Sequence, residues 1–79
     1  MAMAPTAEEA ARHILEILAH KHNRRAGEGA VLGSFYAAFN ISPWHASDLM
    51  AGINHGTEQG WLGYENGFVK LTEAGFAEA

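Results

Sequence analysis

The residues able to do chemistry in this chain are few, and their spacing decides what they can do. There are five histidines: His13, His20, His22, His45 and His55. His13 and His20 are seven apart. His20 and His22 are two apart and so fall on different helix faces. No histidine pair has the i, i+4 spacing of a helical metal site, and no carboxylate completes a known ligand pattern. With no cysteine, a thiolate zinc site and a disulfide framework are both excluded. Ser47 and Asp48 are adjacent rather than arranged as nucleophile and base, and no glycine-rich phosphate loop is present. The sequence therefore predicts no metal, no cofactor and no enzymatic activity. The remaining chemistry is charge. HKHNRR, residues 20 to 25, holds Lys21, Arg24 and Arg25, and only Arg12 and Lys70 lie outside it. Such a cluster can neutralise phosphates, or it can simply complement the C-terminal end of a helix dipole.

These groups must be positioned by a chain of 79 residues, enough for one domain and one core. The hydrophobic content is 48% and the formal charge is -4, so any basic surface is local. No stretch reaches the length of a membrane helix and the N-terminus has no signal-peptide pattern. A cytoplasmic protein is expected.

The elements follow from the pattern. Residues 1 to 5 are expected to be a flexible tail, and residues 6 to 79 a single domain. Thr6 and Glu9 form a capping box that opens a first helix over about 6 to 22, with Ile14 and Leu18 on its apolar face. RRAGEG, residues 24 to 29, breaks the chain. Val31 and Leu32 allow a short strand. Residues 34 to 41 read as a short helix capped by Ser34, with Phe35 and Phe39 inward. Ser42 and Pro43 are placed to start a third helix over 43 to 59. Its projected core face is Ala46, Leu49, Met50, Ile53 and Thr57, and its outer face Trp44, Ser47, Asp48, Ala51, His55 and Glu58. Gly60 stops it. Asn66-Gly67 is the residue pair of a type I′ hairpin turn. It joins a strand holding Trp61, Leu62 and Tyr64 to one holding Phe68, Val69 and Leu71. Thr72 caps a last short helix. The predicted core is Ile14, Leu18, Phe35, Phe39, Leu49, Ile53, Leu62 and Leu71.

The order helix, strand, helix, helix, hairpin, helix, closing on "GWLGYENGFVKLTEAG", resembles a winged helix-turn-helix domain. Gly60, Trp61 and Leu62 match the segment after the third helix, Asn66-Gly67 the wing turn, and Leu71 to Gly75 an L-T-E-x-G segment similar to that of small prokaryotic transcription regulators. The resemblance spans about residues 6 to 79. It implies a mainly α fold with a small antiparallel β-hairpin, and DNA as the partner. By that resemblance the 43–59 helix would enter the major groove with Trp44, Ser47, Asp48, Ala51 and His55 outward. Ser47, Asn54 and His55 would meet base edges and Lys70 a phosphate.

That helix has no Lys or Arg and carries Asp48 and Glu58, so weak intrinsic DNA affinity is expected, with Lys21, Arg24 and Arg25 as the main phosphate contacts. The alternative is a protein-interaction module, or a homodimer, using the same helix and Trp44. Trp44 itself reads either as folded back, over Ile41 or the preceding helix, or as an interface anchor, and Trp61 reads as core.

Overall fold

A computed structural model describes residues 5–79; apart from Pro5, the predicted tail lies outside them. The chain forms three α-helices and a three-stranded antiparallel sheet. Helix α1 runs Ala7–Glu16, and Ile17–Lys21 continues it as a π-helical turn. Strand β1 is Gly29–Val31, α2 is Ala46–Glu58, β2 is Leu62–Glu65, β3 is Phe68–Leu71 and α3 is Glu73–Glu78.

The first helix starts as its sequence requires. Thr6 Oγ1 accepts from the Glu9 N–H at 3.1 Å, and a Glu9 carboxylate oxygen accepts from the Thr6 N–H at 2.9 Å. Its end comes slightly before the two glycines. The His22 N–H donates to the Ile17 carbonyl, and Asn23 takes a left-handed conformation at φ 52°.

Three expectations for the middle of the chain are corrected. The helix expected over 34 to 41 is two short 3₁₀ turns, Leu32–Phe35 and Ala38–Asn40, and Ser34 lies inside the first rather than capping it. Phe35 and Phe39 are both buried, so the segment satisfies the core with two aromatic side chains and does not need a regular helix. Helix α2 begins at Ala46, not Pro43, after a cis Ser42–Pro43 bond. Asp48 serves its N-terminus, with a carboxylate oxygen accepting from the His45 N–H at 2.8 Å. Lastly, the buried face of α2 is Leu49, Gly52, Ile53 and Gly56, while Ala46, Met50 and Thr57 are exposed. The rotation has a steric cause. At Gly52 a Cβ would stand 2.8 Å from the Ala10 carbonyl carbon and 2.9 Å from the Ala11 nitrogen, so α1 and α2 meet backbone to backbone there. Hydrophobic patterning gives glycine no weight and so misplaces this contact.

The hairpin forms where the Asn66-Gly67 pair places it, with φ of 50° and 78° at the two turn residues, both in the positive range a type I′ turn requires. Beyond the hairpin, β3 also pairs with β1, setting Gly29, Ala30 and Val31 against Lys70, Val69 and Phe68, so the strand order is β1-β3-β2. Ala30, Leu62, Val69 and Leu71 turn inward and close the core beneath α1 and α2. All eight residues predicted as core are buried. The Thr72 hydroxyl links three elements: it donates to the Gly60 carbonyl at 2.6 Å and accepts from the Gly75 N–H at 3.0 Å. Arg12 ties α3 to α1 by bonding Glu78 and Glu8, and its guanidinium lies 4.8 Å from the Trp61 ring.

Candidate nucleic-acid interface

Because Gly52 and Gly56 turn one face of α2 into the core, the opposite face is fixed. It presents Ala46, Ser47, Met50, Asn54, Thr57 and Glu58, all exposed. Ser47 and Asn54 are seven residues apart, two helical turns on one face, with Met50 between them. This surface is polar, carries one charge and has free amide and hydroxyl groups able to bond base edges. The Thr57 hydroxyl donates to the Asn54 backbone carbonyl at 2.8 Å, and Asn54 itself is exposed.

Asp48 and Ala51 are half-buried at the edge of the face, and the Asp48 carboxylate is occupied at the helix start. His55 is half-buried and meets the Trp61 ring edge-on at 5.7 Å. Trp44 turns back onto the body of the protein. Its indole stacks on the His13 imidazole at 4.6 Å, nearly parallel, and packs against Phe39 at 5.2 Å. Trp61 is buried, as the sequence predicts. The α2 face thus brings together Ser47 and Asn54 and leaves Trp44, Asp48 and His55 beside it. Met50, assigned to the core by periodicity, belongs to this face.

The basic residues divide between two regions. Lys21 is exposed and borders a shallow depression with Ile41, Ser42 and Trp44, beside the entry to α2. Arg24 and Arg25 are exposed in the loop that follows, where a Glu28 carboxylate oxygen accepts from the Arg25 N–H at 2.9 Å. Lys70 stands on the outer face of the sheet, away from the inward residues Val69 and Leu71. No Lys or Arg lies on α2 itself.

The His13–Trp44 stack carries a pH consequence. Burial pushes the His13 pKa below its ordinary 6.5, with Glu16 opposing the shift and Lys21 adding to it. The neutral ring is favoured in the folded state. Its contribution to stability is therefore complete above pH 6.5 and is lost as pH falls through the depressed folded-state value. An NMR titration of the imidazoles should give His13 a midpoint below 6.5. A midpoint above that value would mean that the stack does not shield the ring.

Among the described residues no three His, Asp or Glu side chains are grouped as a metal site, and no helix is long and apolar enough to cross a membrane. No family model matches the chain, and neither the curated proteins nor the solved structures contain a match to it.

Proposed function

We propose that this chain is a winged helix-turn-helix domain acting as a small DNA-binding transcription regulator, with α2 as the recognition helix, the β2–β3 hairpin as the wing, and weak intrinsic affinity for naked DNA. One observation carries the reading. Helix α2 is seated against α1 through bare glycine backbone, which leaves its Ser47–Met50–Asn54 face uncovered immediately before a tight hairpin whose second strand also pairs with β1. A helix held this way offers an unobstructed face of the width that the major groove admits. The weak affinity follows from charge. Phosphate neutralisation supplies most of a DNA-binder's affinity, and this chain has five Lys and Arg against nine Asp and Glu.

The test is a titration of the purified protein with a short mixed-sequence duplex at low and at moderate salt. Binding should be detectable at low salt and fall steeply as salt rises. Replacing Arg24 and Arg25 together by alanine should lower low-salt affinity and flatten the slope of log K against log salt by up to about 2, since each phosphate contact contributes roughly 0.9. Glu58→Gln should raise affinity by about twofold to threefold, because it removes a charge that repels phosphate. Tight, sequence-selective binding at physiological salt would contradict the weak-affinity claim. Absence of binding at low salt would contradict the DNA reading altogether.

A second reading has an observation of its own. Ile41 is 66% exposed and Met50 40% exposed, apolar groups better suited to a protein surface than to phosphates. A protein-interaction module using α2 is the function that remains if low-salt duplex binding fails.

A further inference from the structure

The uncovered face of α2 carries a small set of hydrogen-bonding groups, and the set is one-sided. From Ser47 to Asn54 the helix rises about 10.5 Å, at roughly 1.5 Å per residue, close to three base-pair steps of about 3.4 Å. Within that span the exposed residues are Ser47, Met50 and Asn54. In the major groove guanine shows two acceptors, which the donors of Arg or Lys match; neither residue occurs on α2. Cytosine shows a donor, which a carboxylate matches. The Asp48 carboxylate already accepts from the His45 N–H at 2.8 Å, and Glu58 is the last residue of α2, about 6 Å along the axis beyond Asn54. Adenine shows one acceptor and one donor, the pair that a carboxamide matches with its own donor and acceptor. Asn54 supplies that group. Thymine shows a C5-methyl group, which takes an apolar contact. Met50 is 40% exposed and, four residues before Asn54, lies one turn from it on the same side. The Ser47 hydroxyl donates or accepts and so favours no base.

We infer that the α2 face selects A·T base pairs, with Asn54 bonding an adenine and Met50 covering a thymine methyl. The inference rests on the DNA reading of α2 and adds the class of sequence that the helix prefers. Affinity and selectivity then come from different residues. Lys21, Arg24 and Arg25 are exposed and attract the phosphates of any sequence, since phosphate contacts carry no base information. Asn54 and Met50 add selectivity without adding charge, so a weak binder is still a selective one. The atoms they use are adenine N6 and N7 and the thymine C5-methyl, all on the major-groove edge. A preference arising from the minor groove or from duplex shape involves none of these atoms, and that difference makes the inference testable atom by atom.

The test is a low-salt titration of the purified chain with two duplexes of equal length, one of A·T pairs in mixed order and one of G·C pairs in mixed order. The A·T duplex should bind about tenfold more tightly, a ratio within reach of one matched bidentate contact. Replacing its thymines by uracil deletes only the C5-methyl and should cost about threefold. Replacing its adenines by 7-deazaadenine deletes the N7 acceptor and should cost about threefold to tenfold. Asn54→Ala should abolish the 7-deazaadenine effect and keep the uracil effect, and Met50→Ala should do the reverse. Both positions are exposed, and circular dichroism checks that each variant keeps its fold. Replacing Arg24 and Arg25 together by alanine should weaken binding to both duplexes alike and preserve their ratio. Equal affinity for the two duplexes, or a preference for G·C, would overturn the inference while leaving DNA binding in place. An A·T preference that survives both uracil and 7-deazaadenine would overturn it too, because the major-groove edge would then not be read. Failure to bind either duplex would overturn it together with the DNA reading, so the two failures are told apart.

Discussion

A Gly52→Val variant is expected to lose about 3 kcal/mol of folding stability, the upper range for forcing extra atoms into a closed contact. Two effects oppose each other at this position. Glycine in a helix interior is about 1 kcal/mol less favourable than alanine, so helix propensity alone predicts that any substitution stabilises. Against this, a Cβ at Gly52 would lie within 2.9 Å of Ala10 and Ala11 backbone atoms. Backbone cannot swing aside as a flexible side chain can, so α1 and α2 must move apart. That opens a core in which Ala10, Ala11, Leu49 and Ile53 are nearly wholly buried. Steric overlap wins, and Gly52→Ala should be destabilising as well, though by less. A domain of this size has a total stability of only about 4–12 kcal/mol, so the valine variant should melt roughly 12–24 °C lower. Gly33, with open space where its Cβ would stand, is the control, and Gly33→Ala should leave the melting temperature nearly unchanged. An unchanged melting temperature for Gly52→Val would mean that the two helices do not approach as described. The seating of α2, and with it the identity of its exposed face, would then be wrong.

The second large effect is expected at Phe35. The segment from Leu32 to Asn40 has two short 3₁₀ turns and no long helix to hold it. Its place is fixed by Phe35, fully buried and stacked near the His22 ring, and by Phe39 beneath Trp44. Phe35→Ala removes one of these two anchors and leaves a cavity. The expected cost is about 3–5 kcal/mol, a large fraction of the total, and the segment leading into α2 should lose its order first. Tyr36→Ala next to it removes an exposed ring and should change stability by less than about 0.5 kcal/mol. Urea unfolding of the two variants separates these outcomes. A small effect at Phe35 would indicate that the segment is held by its backbone instead.

Both predictions turn on features that the sequence shows unequally. Local chemistry was legible at most caps and turns, although Ser34 and Ser42–Pro43 start no helix. The Thr6–Glu9 capping box, the Asn66-Gly67 turn and the Thr72 cap each depend on residues within a few positions of one another, and each forms as read. The eight core residues were legible because burial follows apolar periodicity. What was not legible depends on distant partners. Gly52 and Gly56 are poor helix formers by type, yet they are where α1 and Leu62 press against α2. Since glycine has no hydropathy signal, the projection rotated the helix and put Met50 and Thr57 inside. Asp48 read as a surface charge because its role at the start of α2 needed the start to be known. Trp44 was read with two destinations, and the choice between them needed the His13 ring, 31 positions away in sequence. A short strand at Val31 was legible, but its register against β3 was not.

The measurement that bears most directly on the central claim is an amide chemical-shift map of the labelled protein titrated with duplex DNA at low salt. The account predicts that the largest shifts fall on the exposed face of α2, at Ser47, Met50, Asn54 and Thr57, with further groups at the Asn66-Gly67 turn and the Arg24–Arg25 loop, and that all of them fade together as salt is raised. Shifts confined to the Arg24–Arg25 loop, or no shifts at all, would contradict it and remove α2 as a recognition helix.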